Sequence, residues 1–254
     1  MNKRRRRVGP AVAHELEANE RALPWHSPLQ PPAVVKRHRR GEQPLRTAAR
    51  EALERLLEGN RRFVSGMGSV DGLSSRTRRA ELVAGQQPFA IVLGCSDSRV
   101  PAEIVFDQGL GDLFVIRVAG NVVAPSQIGS VEFAAERFGT RLVVVLGHSQ
   151  CGAVLATLEE LRRPQATQSR NLRSIVDRIR PSVEGLLATE LGAKLDALVF
   201  EAVRANVRVS ANQLRHGSEI LERLIAKDGL IVVGAEYSLE TGIVTVLDGA
   251  PESG

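Results

Sequence analysis

Short, nearly continuous apolar runs recur along the chain and are separated by segments of mixed polarity. Four of them are typical of strands that are buried on both faces: PFAIVLG (88–94), DLFVIRVAG (112–120), TRLVVVLG (140–147) and GLIVVGAEYS (229–238). The last run continues through SLETG into TGIVTVL (241–247), which predicts a hairpin. The pattern therefore predicts a mainly parallel sheet with one antiparallel edge strand.

The segments between these runs have apolar residues at helical spacing. They predict helices at 126–138, 152–162 and 170–188, and one long helix at 193–226. Another helix is predicted before the first strand, in PLRTAAREALERLLEGNRRFVSG, with Thr47 as its N-cap and Gly66 beyond its end. We therefore expect an α/β fold with helices on both faces of the sheet and an extended N-terminal helical arm.

Basic residues are concentrated at the start of the chain. The 254 residues carry a formal net charge of +5, but residues 1–50 contain 12 of the 34 Lys and Arg and only 4 of the 29 Asp and Glu. The rest of the chain has 22 basic and 25 acidic side chains, which argues against a nucleic-acid-binding core. Because residues 1–44 are rich in proline and lack apolar periodicity, we expect a disordered basic leader there and a single domain at 45–254.

The location of the protein is predicted from its apolar and basic segments. No run in the sequence reaches the roughly 18 apolar residues of a membrane-spanning helix. The first basic cluster is followed by glutamates and not by an apolar segment, so we expect no secretion signal. These features predict a cytoplasmic protein whose basic leader is a candidate for contact with an anionic surface.

The two cysteines of the chain follow two of the predicted strands. Cys95 lies in AIVLGCSDSRVPAE, while His148 and Cys151 lie in VVVLGHSQCGAV. Ligands gather at the carboxyl ends of parallel strands, near the point where the strand order reverses, so the three side chains can converge if the two strands are neighbours. Two thiolates and one imidazole suit Zn²⁺ and leave its fourth position open, as in a catalytic site.

Two other interpretations of these cysteines stay open at this point. Buried cysteines commonly act as small apolar residues, and a histidine near a strand end is often only hydrogen-bonded. A redox disulfide is the other alternative, although the loops lack the Cys-x-x-Cys spacing of a thioredoxin-like motif. The paired occurrence of the motifs after equivalent strands favours the metal site.

The segment CSDSR adds a carboxylate and a guanidinium beside the first cysteine. Asp97 and Arg99 are close enough in sequence to pair across a tight turn, which could be only a loop salt bridge. Beside a metal, a bidentate arginine can instead hold the carboxylate so that it accepts a hydrogen bond from metal-bound water. Released from Arg99, the same carboxylate could bind the metal itself and close the site.

Taken together, CSDSRVPAE and HSQCGAV resemble the motifs of β-class carbonic anhydrases of the bacterial type. The resemblance extends from about Ala48 to Asp248 and includes EGNRRFVSG, FDQGLGDLFVIRVAGNVV, GSVEFAAERFGT and VGAEYSLETG. It implies zinc-dependent, reversible hydration of carbon dioxide to bicarbonate and a proton, by attack of a zinc-bound hydroxide. The residues that it implies are zinc ligands Cys95, His148 and Cys151, the catalytic pair Asp97 and Arg99, and substrate-binding residues Gln86, Phe114 and Gly152.

The resemblance also implies an assembly and a mode of regulation. Family members form homodimers, often paired into homotetramers, with N-terminal helices that wrap the partner, a role we expect for residues 46–85. Some members have an inhibitory bicarbonate site with a Trp three residues before the first cysteine. This chain has Val92 there, while Val100, Arg117 and Tyr237 correspond to other elements of that site. We therefore expect Asp97 to pair with Arg99 at neutral pH.

Two further functions remain as alternatives. The same zinc site resembles that of hydrolases that act on carbonyl sulfide or carbon disulfide. A non-catalytic zinc scaffold with a polyanion-binding basic arm is the third possibility. Among the five histidines, His216 is expected to be an exposed helix residue and not a proton shuttle.

Overall fold

The computed structural model describes residues 43–68, 75–163 and 169–250. Its strands are β1 (Ala90–Gly94), β2 (Leu113–Arg117), β3 (Leu142–His148), β4 (Ile231–Tyr237) and β5 (Val244–Asp248). Its helices are α1 (Gln43–Val64), α2 (Arg76–Leu82), α3 (Ala102–Val105), α4 (Pro125–Arg137), α5 (Gly152–Arg162), α6 (Arg170–Leu187), α7 (Leu195–His216) and α8 (Glu219–Lys227). The predicted leader, apart from its last two residues, lies outside the described residues, so its boundary stays a prediction.

The five strands form one sheet in the order β2-β1-β3-β4-β5. The first four strands are parallel to one another, and β5 pairs with β4 antiparallel at the edge. All residues of β1 and β3 are buried, as their continuous apolar runs predicted. The predicted fold class is confirmed.

Helices cover both faces of the sheet because successive strand residues point to opposite sides. On one face, Val92 and Val144 pack with residues of α1 and α3 such as Leu56 and Val105. On the other face, the core contains residues of α4, α7 and α8 together with Ile91. A third cluster joins both cysteines to α5, α6 and the first turns of α7.

The N-terminal helix packs against the sheet of its own chain. Leu56 is fully buried there. The side chain of Asn60 donates to the carbonyl oxygens of Val105 (3.1 Å) and Gly242 (2.9 Å) and accepts from the amide of Val244 (2.9 Å). A single buried amide thus ties α1 to both α3 and the closing hairpin.

Two helix boundaries differ from the sequence-based predictions. The predicted helix at 193–226 is wrong: α7 ends at His216, and α8 begins after Ser218, whose hydroxyl accepts from the Leu221 amide at 3.2 Å. Thr47 is not an N-cap, because α1 already begins at Gln43 and holds Pro44 in its first turn, where proline is tolerated. Gly66 does follow the end of α1, with a left-handed φ of 70°.

Two short helices, α2 and α3, were not predicted. Within the described ranges, no helix combines the length and apolar character that a membrane span requires.

Candidate metal centre

The three predicted ligands lie at the carboxyl ends of two neighbouring strands. Cys95 directly follows β1, His148 is the last residue of β3, and Cys151 directly precedes α5. The register pairs Gly94 with Leu146, so the two strands end side by side. Since the chain leaves β1 for β2 on one side and later returns as β3 on the other, the ligands lie where the strand order reverses.

The side chains of Cys95, His148 and Cys151 converge in a buried cluster. Their ligand atoms all lie within 4.8 Å of one another. Tetrahedral zinc with ordinary Zn–S and Zn–N lengths would place such atoms about 3.7 Å apart, so small shifts would complete the geometry. The structure therefore brings together the full predicted ligand set.

The histidine is oriented as a metal ligand. Its Nδ1 donates to the carbonyl oxygen of Ser149 at 2.9 Å, which leaves the lone pair on Nε2. That Nε2 atom is buried and has no hydrogen-bond partner among the described residues. A buried nitrogen without a partner, facing two sulfurs, fits a soft or borderline metal ion such as Zn²⁺.

The two cysteine side chains shift each other's pKa in opposite directions. A hydrogen bond with the Cys151 side chain, together with that from the Gly120 amide, lowers the pKa of Cys95 to about 4 against the opposing effect of burial. The hydrogen bond to the Cys95 thiolate and burial raise the pKa of Cys151. Cys95 is therefore the more acidic thiol of the pair, and binding of a divalent cation would release the protons that the two thiols hold.

Asp97 lies at the edge of this cluster and is held by Arg99. The guanidinium donates through Nε to Oδ1 (2.9 Å) and through a terminal nitrogen to Oδ2 (2.7 Å), and the Arg99 amide donates to Oδ1 (3.0 Å). These bonds hold the pKa of Asp97 well below its usual range. The Oδ2 atom is 3.8 Å from Nε2 of His148. The expected pairing is present, with the ionised carboxylate facing the ligands.

Arg117, the last residue of the neighbouring strand β2, stabilises the turn at residues 95–99 by hydrogen bonds. It donates to the carbonyl oxygen of Cys95 at 3.0 Å and to that of Asp97 at 2.6 Å. Sequence reasoning noted Arg117 only for its correspondence to an inhibitory site. Its position at the end of the strand next to β1 was the sequence feature that could have predicted this contact.

The turn between His148 and Cys151 is fastened by Glu240 of the closing hairpin. Its carboxylate accepts from the Ser149 hydroxyl at 2.8 Å and from the Gln150 side chain at 2.6 Å. The Ser149 hydroxyl in turn accepts from the Leu239 amide at 2.9 Å. Gln150 has a left-handed φ of 54°, which these contacts help to maintain. No sequence motif pointed to this role of Glu240.

The three predicted substrate-binding residues are distributed unevenly. Gly152 is the first residue of α5, next to Cys151. Gln86 is exposed and precedes β1, at the amino end of the sheet. Phe114 pairs in register with Ile91, three residues before the end of β1, and its ring packs against Phe133 (6.2 Å) and Phe138 (5.9 Å). Within one chain, only Gly152 therefore adjoins the cluster, and all three roles stay predictions.

Val92 and His216 occupy the positions expected for structural residues. Val92 is fully buried in β1 and belongs to the core with α1 and α3. His216 is the exposed last residue of α7. Neither residue contributes a side chain to the cluster of Cys95, His148 and Cys151.

Comparison with known proteins extends the similarity over most of the chain. Residues 90–244 match the family model described as carbonic anhydrase. A carbonic anhydrase of Mycolicibacterium smegmatis is 42% identical over 194 residues, which cover 76% of this chain and 90% of that protein.

Solved structures show the same architecture. The β-carbonic anhydrase CafA of Aspergillus fumigatus has a TM-score of 0.60 and 30% identity and covers 69% of this chain and 82% of its own. A structure from a study of two tetrameric β-carbonic anhydrases of Sordaria macrospora has a TM-score of 0.60 and 26% identity, and it covers 66% of this chain and 85% of its own.

Proposed function

This chain belongs to the β-carbonic anhydrase family, and we propose that it catalyses the reversible hydration of carbon dioxide to bicarbonate and a proton, with zinc as its metal. One observation carries the proposal: two cysteine sulfurs and an imidazole nitrogen that has no hydrogen-bond partner in the described part of the chain converge in a buried cluster beside an ionised aspartate. The reaction needs a nucleophilic water and a group that orients it, and these residues supply sites for both.

Cys95, His148 and Cys151 are the residues proposed to hold the metal. Three protein ligands leave one coordination position open for water or substrate. When bound there, Zn²⁺ supplies a Lewis acid that makes water nucleophilic near neutral pH. The hydrogen bond from Nδ1 of His148 to the Ser149 carbonyl holds the ring in the orientation and tautomer that the metal requires.

Asp97 is proposed to orient the attacking water. Because its pKa is held below the usual range, the carboxylate is ionised at neutral pH and can only accept a hydrogen bond. The bidentate contact from Arg99 occupies the carboxylate oxygens and directs the group. A carboxylate held in this way would accept a hydrogen bond from the attacking water and so direct its lone pair towards carbon dioxide. The proposed role of Arg99 is to keep Asp97 in this orientation and away from the metal.

Substrate binding is proposed to involve a second copy of the chain. Gly152 adjoins the cluster in its own chain, but Gln86 lies at the opposite end of β1 and Phe114 lies in the edge strand β2. If the latter two residues contact substrate, a partner subunit must bring them to the cluster. A homodimer or homotetramer is the assembly we propose, and the cytoplasmic location predicted from the sequence stays a prediction.

The activity is tested by stopped-flow hydration of carbon dioxide with zinc-analysed protein at pH 8.5. We expect about one zinc per chain and measurable hydration. An Asp97→Asn variant should keep its zinc and lose at least about tenfold in kcat/KM, because the amide cannot act as an acceptor-only group. Asp196→Asn, at an exposed position on α7, is the matched control and should retain full activity.

Carbonyl sulfide is measured alongside as the competing substrate. Zinc-loaded protein that releases hydrogen sulfide from carbonyl sulfide but does not hydrate carbon dioxide would contradict the proposed substrate. The assignment of the metal site would still hold. Zinc-loaded protein that is inactive on both would point to the scaffold alternative.

A further inference from the structure

The amide of Gly120 contacts the sulfur of Cys95. It belongs to the short 3₁₀ turn Ala119–Asn121 that follows β2, and it donates to Sγ at 3.3 Å. Gly120 has a left-handed φ of 69°, and a Cβ atom there would lie 2.7 Å from Cδ1 of Ile179. The glycine is therefore required both by the backbone conformation and by the close approach of α6.

A buried asparagine holds the other side of this glycine. Asn206, in the middle of α7, is 2% exposed, and its Nδ2 donates to the carbonyl oxygen of Gly120 at 2.8 Å. Its neighbours on the buried face of α7 are apolar residues such as Val203 and Val207. Burying an amide among apolar groups is unfavourable unless it forms hydrogen bonds, so the contact with Gly120 stabilises this arrangement.

The second polar contact of Asn206 is weaker. The hydroxyl of Ser182 lies 3.4 Å from Oδ1 of Asn206 and is much closer, at 2.5 Å, to the carbonyl oxygen of Ile179. A hydroxyl has one proton to donate, and the shorter contact is the better donor geometry. The principal hydrogen bond of the asparagine is therefore the one directed at the turn that touches Cys95.

We infer that Asn206 is a positioning residue for the metal ligand Cys95, acting through the Gly120 backbone. The carbonyl and the amide of Gly120 flank a single Cα atom, so fixing the carbonyl restricts the rotations that aim the amide at the sulfur. An N–H donor to a ligating thiolate tunes its charge and its orientation. This inference rests on the proposed metal site and adds to it a residue 86 positions away from the turn that it holds.

The same helix also supports the second ligand-bearing strand, by a different type of contact. A Cβ atom at Gly147, just before His148, would lie 2.3 Å from Cγ2 of Val207. Val207 follows Asn206 directly on α7, so one turn of this helix contacts both the 3₁₀ turn that touches Cys95 and the strand that ends at His148. The polar contact, from Asn206, reaches the turn that touches Cys95. The apolar contact, from Val207, lies against Gly147 beside His148.

The test is a chelator titration of the zinc-loaded full chain. Asn206→Leu has a similar side-chain volume and no donor, so the Gly120 carbonyl loses its partner. We expect zinc to be bound about 10-fold to 100-fold more weakly than in the wild type. In the cobalt-substituted protein, the sulfur-to-metal charge-transfer band should shift, a signature that loss of packing alone would not produce.

Ser182→Ala is the matched control, because it removes the weaker contact of the same amide. We expect its zinc affinity to stay within about twofold of the wild type, since the Gly120 contact remains. If Asn206→Leu does not fold, Asn206→Ser replaces it, because its shorter side chain cannot reach the Gly120 carbonyl.

The outcomes separate this inference from the proposed function. Wild-type protein that binds no zinc would overturn both. Tight zinc binding by the wild type, with unchanged affinity and cobalt spectrum in the Asn206 variant, would overturn the positioning role alone. Equal weakening by Ser182→Ala and the Asn206 variant would also overturn it, because that result would assign the effect to packing between α6 and α7.

Discussion

The two turns that carry the proposed metal ligands are stabilised by different contacts. The first turn, at residues 95–99, is held by Arg117 and by the Gly120 amide, both from the region at the end of β2. The second turn, at residues 148–151, is held by the exposed carboxylate of Glu240 from the closing hairpin. Arg117 and Glu240 are both exposed, but the contact between Gly120 and Cys95 is buried and is backed by Asn206 of α7.

This difference indicates which contacts contribute most to the rigidity of the site. A buried hydrogen bond, such as the one from Gly120 to Cys95, contributes more to stability than hydrogen bonds of exposed charged groups, which water and salt screen. The first turn also carries Asp97 and Arg99, so any loosening of it affects both a ligand and the proposed orienting group. We therefore expect the site to depend more on contacts around Cys95 than on contacts around Ser149.

Removal of a metal ligand from either turn should weaken zinc binding to a similar extent. This is the largest effect that we expect. His148→Ala and Cys95→Ala should each weaken zinc binding by on the order of a few hundredfold, because one of three metal bonds worth roughly 3–4 kcal/mol is lost. Zinc content after gel filtration and carbon dioxide hydration are the measurements. His216→Ala, at an exposed helix end, is the matched control and should retain zinc. Retention of zinc by His148→Ala would contradict the ligand assignment.

Substitution of Arg117 should affect the first turn without touching a ligand. Arg117→Met removes two charge-assisted hydrogen bonds to carbonyl oxygens, and we expect a loss of only about 1–2 kcal/mol in the free energy of unfolding because Arg117 is exposed to solvent. We also expect about tenfold lower activity. Arg117→Lys keeps the charge but not the fork, so its effects should be intermediate. Denaturant unfolding and stopped-flow rates measure both, and wild-type values for Arg117→Met would refute the proposed fastening.

Substitution of Glu240 should give the smallest effect and a dependence on pH. The hydrogen bond from the Ser149 hydroxyl, with others from Ser238 and Gln150, lowers the pKa of Glu240 in the folded protein. Its stabilising contribution is therefore complete above the unfolded pKa of about 4.3 and is lost as the pH falls through the folded value. Glu240→Gln should have a lower Tm than the wild type at pH 7.

The difference in Tm should shrink as the pH is lowered from about 5 to about 3, because the wild-type carboxylate then becomes neutral as well. Thermal unfolding of both proteins across this range is the measurement. Glu54→Gln, an exposed residue of α1, should show no such trend. A Tm difference that stays constant down to pH 3 would show that the charge of Glu240 is not responsible.

Much of the fold and the centre of the site could be predicted because they depend on local patterns. Continuous apolar runs identified β1 and β3, and the residues that follow buried parallel strands necessarily meet at one edge of the sheet. That geometry made Cys95, His148 and Cys151 predictable as a group. Asp97 and Arg99 are two residues apart, so their pairing was also a local property.

Other features could not be predicted because they depend on distant parts of the chain, or on a helix cap that interrupts a continuing apolar pattern. The contact of Asn206 with Gly120 joins residues 86 positions apart, and nothing in the periodicity of α7 distinguishes this buried amide. The break after His216 was missed because apolar spacing continues across Gly217, while the Ser218 cap starts a new helix. The positions of Gln86 and Phe114 relative to substrate depend on assembly, which a pattern in one chain does not contain.

The order of the strands along the sheet has a consequence for the newly synthesised chain. Both thiols have been translated once Cys151 is made, but β3 acquires its neighbour β4 only after residue 237. At about 5–20 residues per second, the roughly one hundred residues up to the end of β5 take about 5–20 s to synthesise. During this interval the thiols belong to an unfinished sheet, so we expect them to be more open to oxidation or to the wrong metal ion during synthesis than in the completed fold.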